Sequence, residues 1–325
     1  MNYKSLLIKI FLSLALLTAV AMQVDYAQIK SIAQNIHPVS WVYAMIFMLL
    51  QITGLAVRWT LLLNAGKRKN MRFATAIKIT AISSLANYVF ITSLGGIIAR
   101  ITLSMTHGFP FVKAMAATII DRGMPLLALV ILGMIFLPIF GHEFHPAFLN
   151  EKTMAILLAL AALGMFVLLF LYKKRRAIIF YNRKITVCVK YLRSLLSSPA
   201  LLIEIVCVSL VTQIMYFAAV YSVMHSLGGN FTFIQFMVVM PIITLAASLP
   251  IGYGGWGIRE GAFMFGLQLI NIPVEAAFMA SVQIGVISMI TAAVAGIPAF
   301  IDDETQRAIK DWKNRKIRPS HAPQT

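Results

Sequence analysis

The apolar run from about 232 to 301 is broken by Ser248-Leu-Pro-Ile-Gly-Tyr-Gly-Gly-Trp-Gly-Ile-Arg-Glu-Gly261, and this break narrows the folds open to the chain. In hydrocarbon a charged side chain near a helix centre costs roughly 2.5–3.5 kcal/mol, and an unpaired backbone group costs several kcal/mol more. The break therefore needs protein or water around it. A helix that stops at Pro250, leaves backbone amides through Gly252, Gly254, Gly255 and Gly257, and restarts near Trp256 aims a helix N-terminus and Arg259 into a cavity. With Glu260 beside it, that is an arrangement suited to an anion.

The same device stands earlier, at Thr92-Ser-Leu-Gly-Gly-Ile-Ile-Ala-Arg100. Gly95-Gly96 precedes Arg100 by the spacing at which Gly254-Gly255 precedes Arg259. Asn87 lies just before it, and Asp121-Arg122 follows in the next apolar segment.

Composition sets the solvent. Of 325 residues, 60% are hydrophobic and 12% charged, and a soluble domain carries about twice that charged share. The mean hydropathy is +0.84. The chain reads as an all-α, polytopic membrane bundle. Its net charge of +17 lies in short clusters between apolar spans, where it sets topology, so nucleic acid is excluded as a partner. Cys188 and Cys207 give no disulfide framework, His142 and His145 lack further ligands for a metal, and no motif indicates a cofactor or nucleotide.

In order, Lys4 and Lys9 precede a first helix at about 5–24, read as uncleaved although Ala19-Val-Ala21 also fits a signal peptide. A short polar connection, 25–38, leads to a span at 39–63. Residues 73–108 read as a broken, re-entrant hairpin, because the arm from 97 to 107 is shorter than the ~20 residues a crossing needs. Spans at 113–139 and 153–172 follow, then a basic, surface-lying segment at 173–193 that either touches anionic headgroups or only fixes topology. The second half repeats the pattern with a span at 199–227, a broken pair at 232–271 and a span at 275–301. Residues 303–325 form a basic, hydrophilic tail.

Placing both termini and the clusters 64–72 and 173–193 in the cytoplasm puts 20 of 28 Lys and Arg inside and only Lys30 and Lys152 outside. The result is six full spans and two re-entrant hairpins in a domain over 1–302, with inverted repeats at 39–139 and 199–301. Full crossing of each broken pair, giving ten spans, remains the alternative.

Asn87, Gly95, Gly96, Arg100, Asp121-Arg122, Leu249-Pro250, Gly254-Gly255-Trp256-Gly257 and Arg259-Glu260 together resemble the motifs of the lysylphosphatidylglycerol synthase transmembrane family, also called flippase-like. The resemblance covers about 5–302. It departs at Ile91 and Gly96, where relatives often carry a proline and an acidic residue, so no charge pair is carried over there. The resemblance implies a bacterial inner-membrane protein whose relatives move lipids with large polar headgroups between leaflets. The aminoacyl-transferring domain of bifunctional relatives is not expected here, because about 24 polar residues follow the last span.

Two principal function classes follow. In a flippase, Arg100, Arg122 and Arg259 with the glycine-loop amides hold a phosphate-bearing headgroup, and the partners are membrane lipids, anionic ones first. In a lipid-modifying enzyme, Asp121 or Glu260 serves as general base, but no nucleophile–His pair or ligand cluster supports it. An accessory factor in envelope assembly is a third reading, and a homodimer is left open.

Overall fold

The computed structural model describes residues 24–34, 37–65, 70–89, 95–140, 197–228, 231–248 and 257–317, with a few positions between them. Ten α-helices cover these residues: α1 (Tyr26–Gln34), α2 (Pro38–Asn64), α3 (Phe73–Val89), α4 (Gly95–Thr106), α5 (Phe111–Phe140), α6 (Pro199–Ser226), α7 (Phe233–Ala247), α8 (Ile258–Leu267), α9 (Val274–Ile301) and α10 (Asp303–Ile317). A single 3-10 turn, Gln268–Ile270, ends α8.

The starts are written locally. Pro38 and Pro199 occupy the first turns of α2 and α6, where a missing N–H costs nothing. Thr232 and Gln235 form a reciprocal capping box at α7. Two helices go beyond the sequence reading. The 25–38 connection contains α1, capped by Asp25 through the N–H of Ala27, and the tail contains α10, capped by Asp302 through the N–H of Thr305.

Four helices, α2, α5, α6 and α9, are long and apolar enough to cross a membrane. Only 28–39% of each best window is covered by protein, and the uncovered faces carry side chains such as Val42, Ile46, Leu50, Ile119, Val211, Ile290 and Val294. Lipid is the natural cover for such faces. The expected first crossing at 5–24 falls almost entirely outside the described residues, and so do the crossing at 153–172 and most of 173–193.

Contacts in one half have counterparts in the other. α2 packs along α6, α3 on α9 as α7 on α5, α3 on α4 as α7 on α8, and α4 on α5 as α8 on α9. The ends are sorted as well. Lys78 near the start of α3 bonds Asp302 and Glu304, and with Leu103 and His107 at the end of α4 it lines one small recess beside α10. At the other end, Phe233 at the start of α7 packs on Tyr221 near the end of α6, Ser222 beside it bonds the Ser40 carbonyl of α2, and the neighbouring Trp41 bonds Gln283 in the first third of α9, while the 3-10 turn after α8 leads directly into the start of α9. Both ends of the first broken pair thus lie at the C-terminal end of α9, and both ends of the second at its N-terminal end.

Candidate functional site

The first cluster gathers charges from three helices. Arg58 on α2 donates from Nε to Asp121 Oδ1 at 2.7 Å and from Nη1 to Ser209 Oγ on α6 at 3.1 Å. Its Nη2 also donates to the backbone carbonyl of Asp121 at 3.3 Å. Arg100 on α4 donates through Nη1 to Asp121 Oδ2 and lies 4.8 Å from the centroid of the Trp59 ring. Arg58 and Asp121 are almost sealed, with side chains 1% and 5% exposed, and Arg100 keeps 9%.

Two guanidiniums on one carboxylate leave a net positive charge inside the bundle. Removing an unpaired charge from water is costly, so this cluster is stable only because every member is bonded and stacked. The indole Nε1 of Trp59 is buried and has no hydrogen-bond partner among the described residues.

The second cluster sits on one helix start. Gly257 caps α8 with φ +90°, a left-handed conformation that glycine adopts without strain. From the first turn the Glu260 side chain turns back so that Oε2 accepts the Gly257 N–H at 2.6 Å. Glu260 Oε1 accepts Arg259 Nη2 at 2.7 Å, Arg259 Nε at 3.1 Å and Ser281 Oγ at 3.2 Å. Arg259 Nε also lies 3.2 Å from Ser281 Oγ. Glu260 is fully buried, while the Arg259 side chain keeps 16% of its surface open.

The guanidinium of Arg259 lies flat against α9 where Gly285 has no side chain; a Cβ there would run into it. Tyr216 on α6 and Tyr88 at the end of α3 lie within electrostatic reach of Arg259. The first broken pair therefore reaches the second cluster.

The residues expected to form the site separate into groups. Arg100 and Asp121 are brought together, and Arg259 and Glu260 with Gly257. Asn87 and Gly96 prove to be a structural joint, since Asn87 Oδ1 accepts the Gly96 N–H at 3.1 Å and so caps α4. A Cβ on Gly96 would strike Asn87 and the Ser83 carbonyl, so α3 and α4 approach on bare backbone. Gly95 is buried beside them and edges an apolar groove with Ile82, Ala86, Ile98 and Phe300.

Arg122 does not join the cluster. It is exposed on α5, and Asp121 pairs with Arg58 and Arg100 instead of with its neighbour. Pro250, Gly254, Gly255 and Trp256 lie outside the described residues. Arg58, Ser209 and Ser281 were absent from the expected site; Arg58 was visible as a charge within an apolar span, but the serines carried no signal.

The α8 N-terminus and Arg259, expected to face an anion, meet one from their own helix turn. An anion is already there: the Glu260 carboxylate takes the Gly257 N–H and the fork of Arg259. Adjacent helix residues do not normally face each other, but in the first turn a side chain that folds back over the cap can meet its neighbour.

A comparison with curated proteins found no match. The model of the lysylphosphatidylglycerol synthase TM region matches residues 6–296, which takes in both broken pairs and both ionic clusters. The chain belongs to the family of the lysylphosphatidylglycerol synthase transmembrane region.

Proposed function

We propose that this protein is a lipid transporter of the flippase type, moving a lipid with a phosphate-bearing headgroup between the leaflets of a bacterial inner membrane. The observation that carries this reading is the net positive charge of the Arg58–Asp121–Arg100 cluster beside the α3–α4 break. At an effective dielectric constant near 20, a phosphate about 4 Å from one uncompensated charge gains about 4 kcal/mol, enough to draw a headgroup toward the bundle interior. The acyl or prenyl chains stay in lipid.

The layout supports inverted repeats with re-entrant hairpins. Both ends of the first broken pair adjoin the end of α9, and both ends of the second adjoin its start. Hairpins entering from opposite faces would meet inside, where Tyr88 of the first lies near Arg259 of the second. The cytoplasmic placement of both termini rests on the distribution of basic residues.

Reconstituted vesicles test the reading by lipid movement, with expression and thermal stability measured alongside. Arg259→Ala and Arg100→Ala are expected to give inactive protein. Arg259→Lys keeps the charge but loses the planar fork, so it should restore less than about a tenth of the activity, the cost of one charge-assisted contact. Full activity in stable Arg259→Ala protein would remove Arg259 from the mechanism.

A further inference from the structure

We infer that Glu260 is a proton-gated internal competitor for the anion site of the second half, so that binding of a phosphate at Arg259 takes up one proton. The inference rests on the reading of Arg259 as a headgroup ligand and adds the coupling to it. Its basis is occupancy. Among the described residues, the groups that hold the Glu260 carboxylate are ones that would also recognise a phosphate: the cap N–H of Gly257, the Nε and Nη2 of Arg259 and the hydroxyl of Ser281.

Two anions cannot share these donors in a site of low dielectric. A phosphate therefore either fails to bind or binds after Glu260 has become neutral. Protonation on a Glu260 carboxyl oxygen, with the proton drawn from water, removes the competing charge and leaves the guanidinium for the ligand. The proton returns to water when the phosphate leaves. Arg259 is placed for the exchange, because 16% of its side-chain surface is open while Glu260 has none, and its guanidinium lies against the bare backbone at Gly285.

Among the described residues, the other titratable groups near Arg259 are Tyr216 from α6 and Tyr88 from α3, phenols that are neutral in the working pH range. α7 carries no titratable residue, and the sole acid of α9, Glu275, stands six residues before Ser281, about 9 Å along the helix, where it accepts from the backbone N–H of Asp25. The first cluster differs in kind. Asp121 has two guanidiniums, so an anion can add there without displacing it.

The test uses dihexanoyl phosphatidylglycerol, a phosphodiester that stays singly ionised between pH 5 and 8, and the full chain in detergent. Calorimetric titration in buffers of different ionisation enthalpy reads the protons taken up on binding. The wild type should take up about one proton per lipid, and its affinity should fall by up to about tenfold per pH unit above the Glu260 midpoint. Glu260→Gln should bind with no uptake and no pH slope.

Binding that depends on Arg259 but shows no proton uptake, or the same slope in Glu260→Gln, would overturn the gate and leave the headgroup reading standing. Binding unchanged in Arg259→Ala would overturn both. Should Glu260→Gln fail to fold, Ser281→Ala serves in its place. It removes one donor to the carboxylate, so the midpoint should move to higher pH, and an unmoved midpoint would refute the gate.

Discussion

The cluster of the first half joins three helices around one carboxylate, whereas the cluster of the second joins two neighbouring residues of one helix start to a single serine across the way. The first is over-supplied with cations and locked. Arg58 is bonded on three sides and sealed, and it fixes α2, α5 and α6 to one another. The second is balanced, and its cation is partly open. The two halves thus treat buried charge differently: one carries a surplus of cations around a carboxylate, and the other balances its cation with a carboxylate from the same helix turn.

Removing the shared carboxylate is the most severe way to break this comparison. Asp121→Ala leaves two buried guanidiniums without a partner, and losing one side of a buried ion pair costs about 3–5 kcal/mol. Thermal unfolding in detergent should show it as the largest loss among the site variants. Glu260→Ala strips charged hydrogen bonds from Arg259 and the cap, at about 1.5–3 kcal/mol, and spares the contacts between the long helices. Equal losses for the two variants would contradict the division into a lock and a switch.

Two glycines sharpen the comparison further. Gly96→Ala pushes on a backbone carbonyl of α3, which can yield only by parting α3 from α4, so overpacking should cost about 1–3 kcal/mol. Gly285→Ala pushes on the end of the flexible Arg259 side chain, which can retreat. Its stability should therefore change less than that of Gly96→Ala, while lipid transport falls. Transport in Gly285→Ala equal to wild type would show that Arg259 needs no support from α9.

The smallest effect belongs to the edge of the first pair. There Lys78 hydrogen-bonds Asp302 at 2.7 Å and Glu304 at 2.8 Å, and these bonds hold both carboxyls below their ordinary range. A depressed folded-state value stabilises above the ordinary carboxylate pKa, near 4, and the contribution is lost as pH falls through the depressed value. The docking of α10 should accordingly be intact at neutral pH and loosen below about pH 4, read as faster amide exchange in 303–317. Among the described residues no ion pair ties the second broken pair to a neighbouring helix in this way, so exchange in α7 and α8 should not follow it.

Much of the helical frame was legible in the chain. The spans expected at 39–63, 113–139, 199–227 and 275–301 are found at Pro38–Asn64, Phe111–Phe140, Pro199–Ser226 and Val274–Ile301. Lipid admits only backbone that bonds within its own segment, so long apolar runs end where polar residues begin. Short helices start at Gly95 and at Ile258, within the two glycine-rich stretches singled out in the sequence. The amphipathic helices α1 and α10 were missed because they lie outside the apolar runs, and their signals, the caps Asp25 and Asp302, are local.

By itself the sequence determined the solvent, the long apolar helices and the list of charges that hydrocarbon will not accept unpaired. Which charges pair was decided by the tertiary structure. Consecutive helix residues point about 100° apart, so Asp121 turns inward while Arg122 turns out, and no spacing in the chain joins Asp121 to Arg58 or Arg100. Three helices had to be packed before one carboxylate could serve two arginines. Only the cap at Gly257, with its turned-back Glu260, could show that Arg259 is met by a carboxylate from its own helix turn.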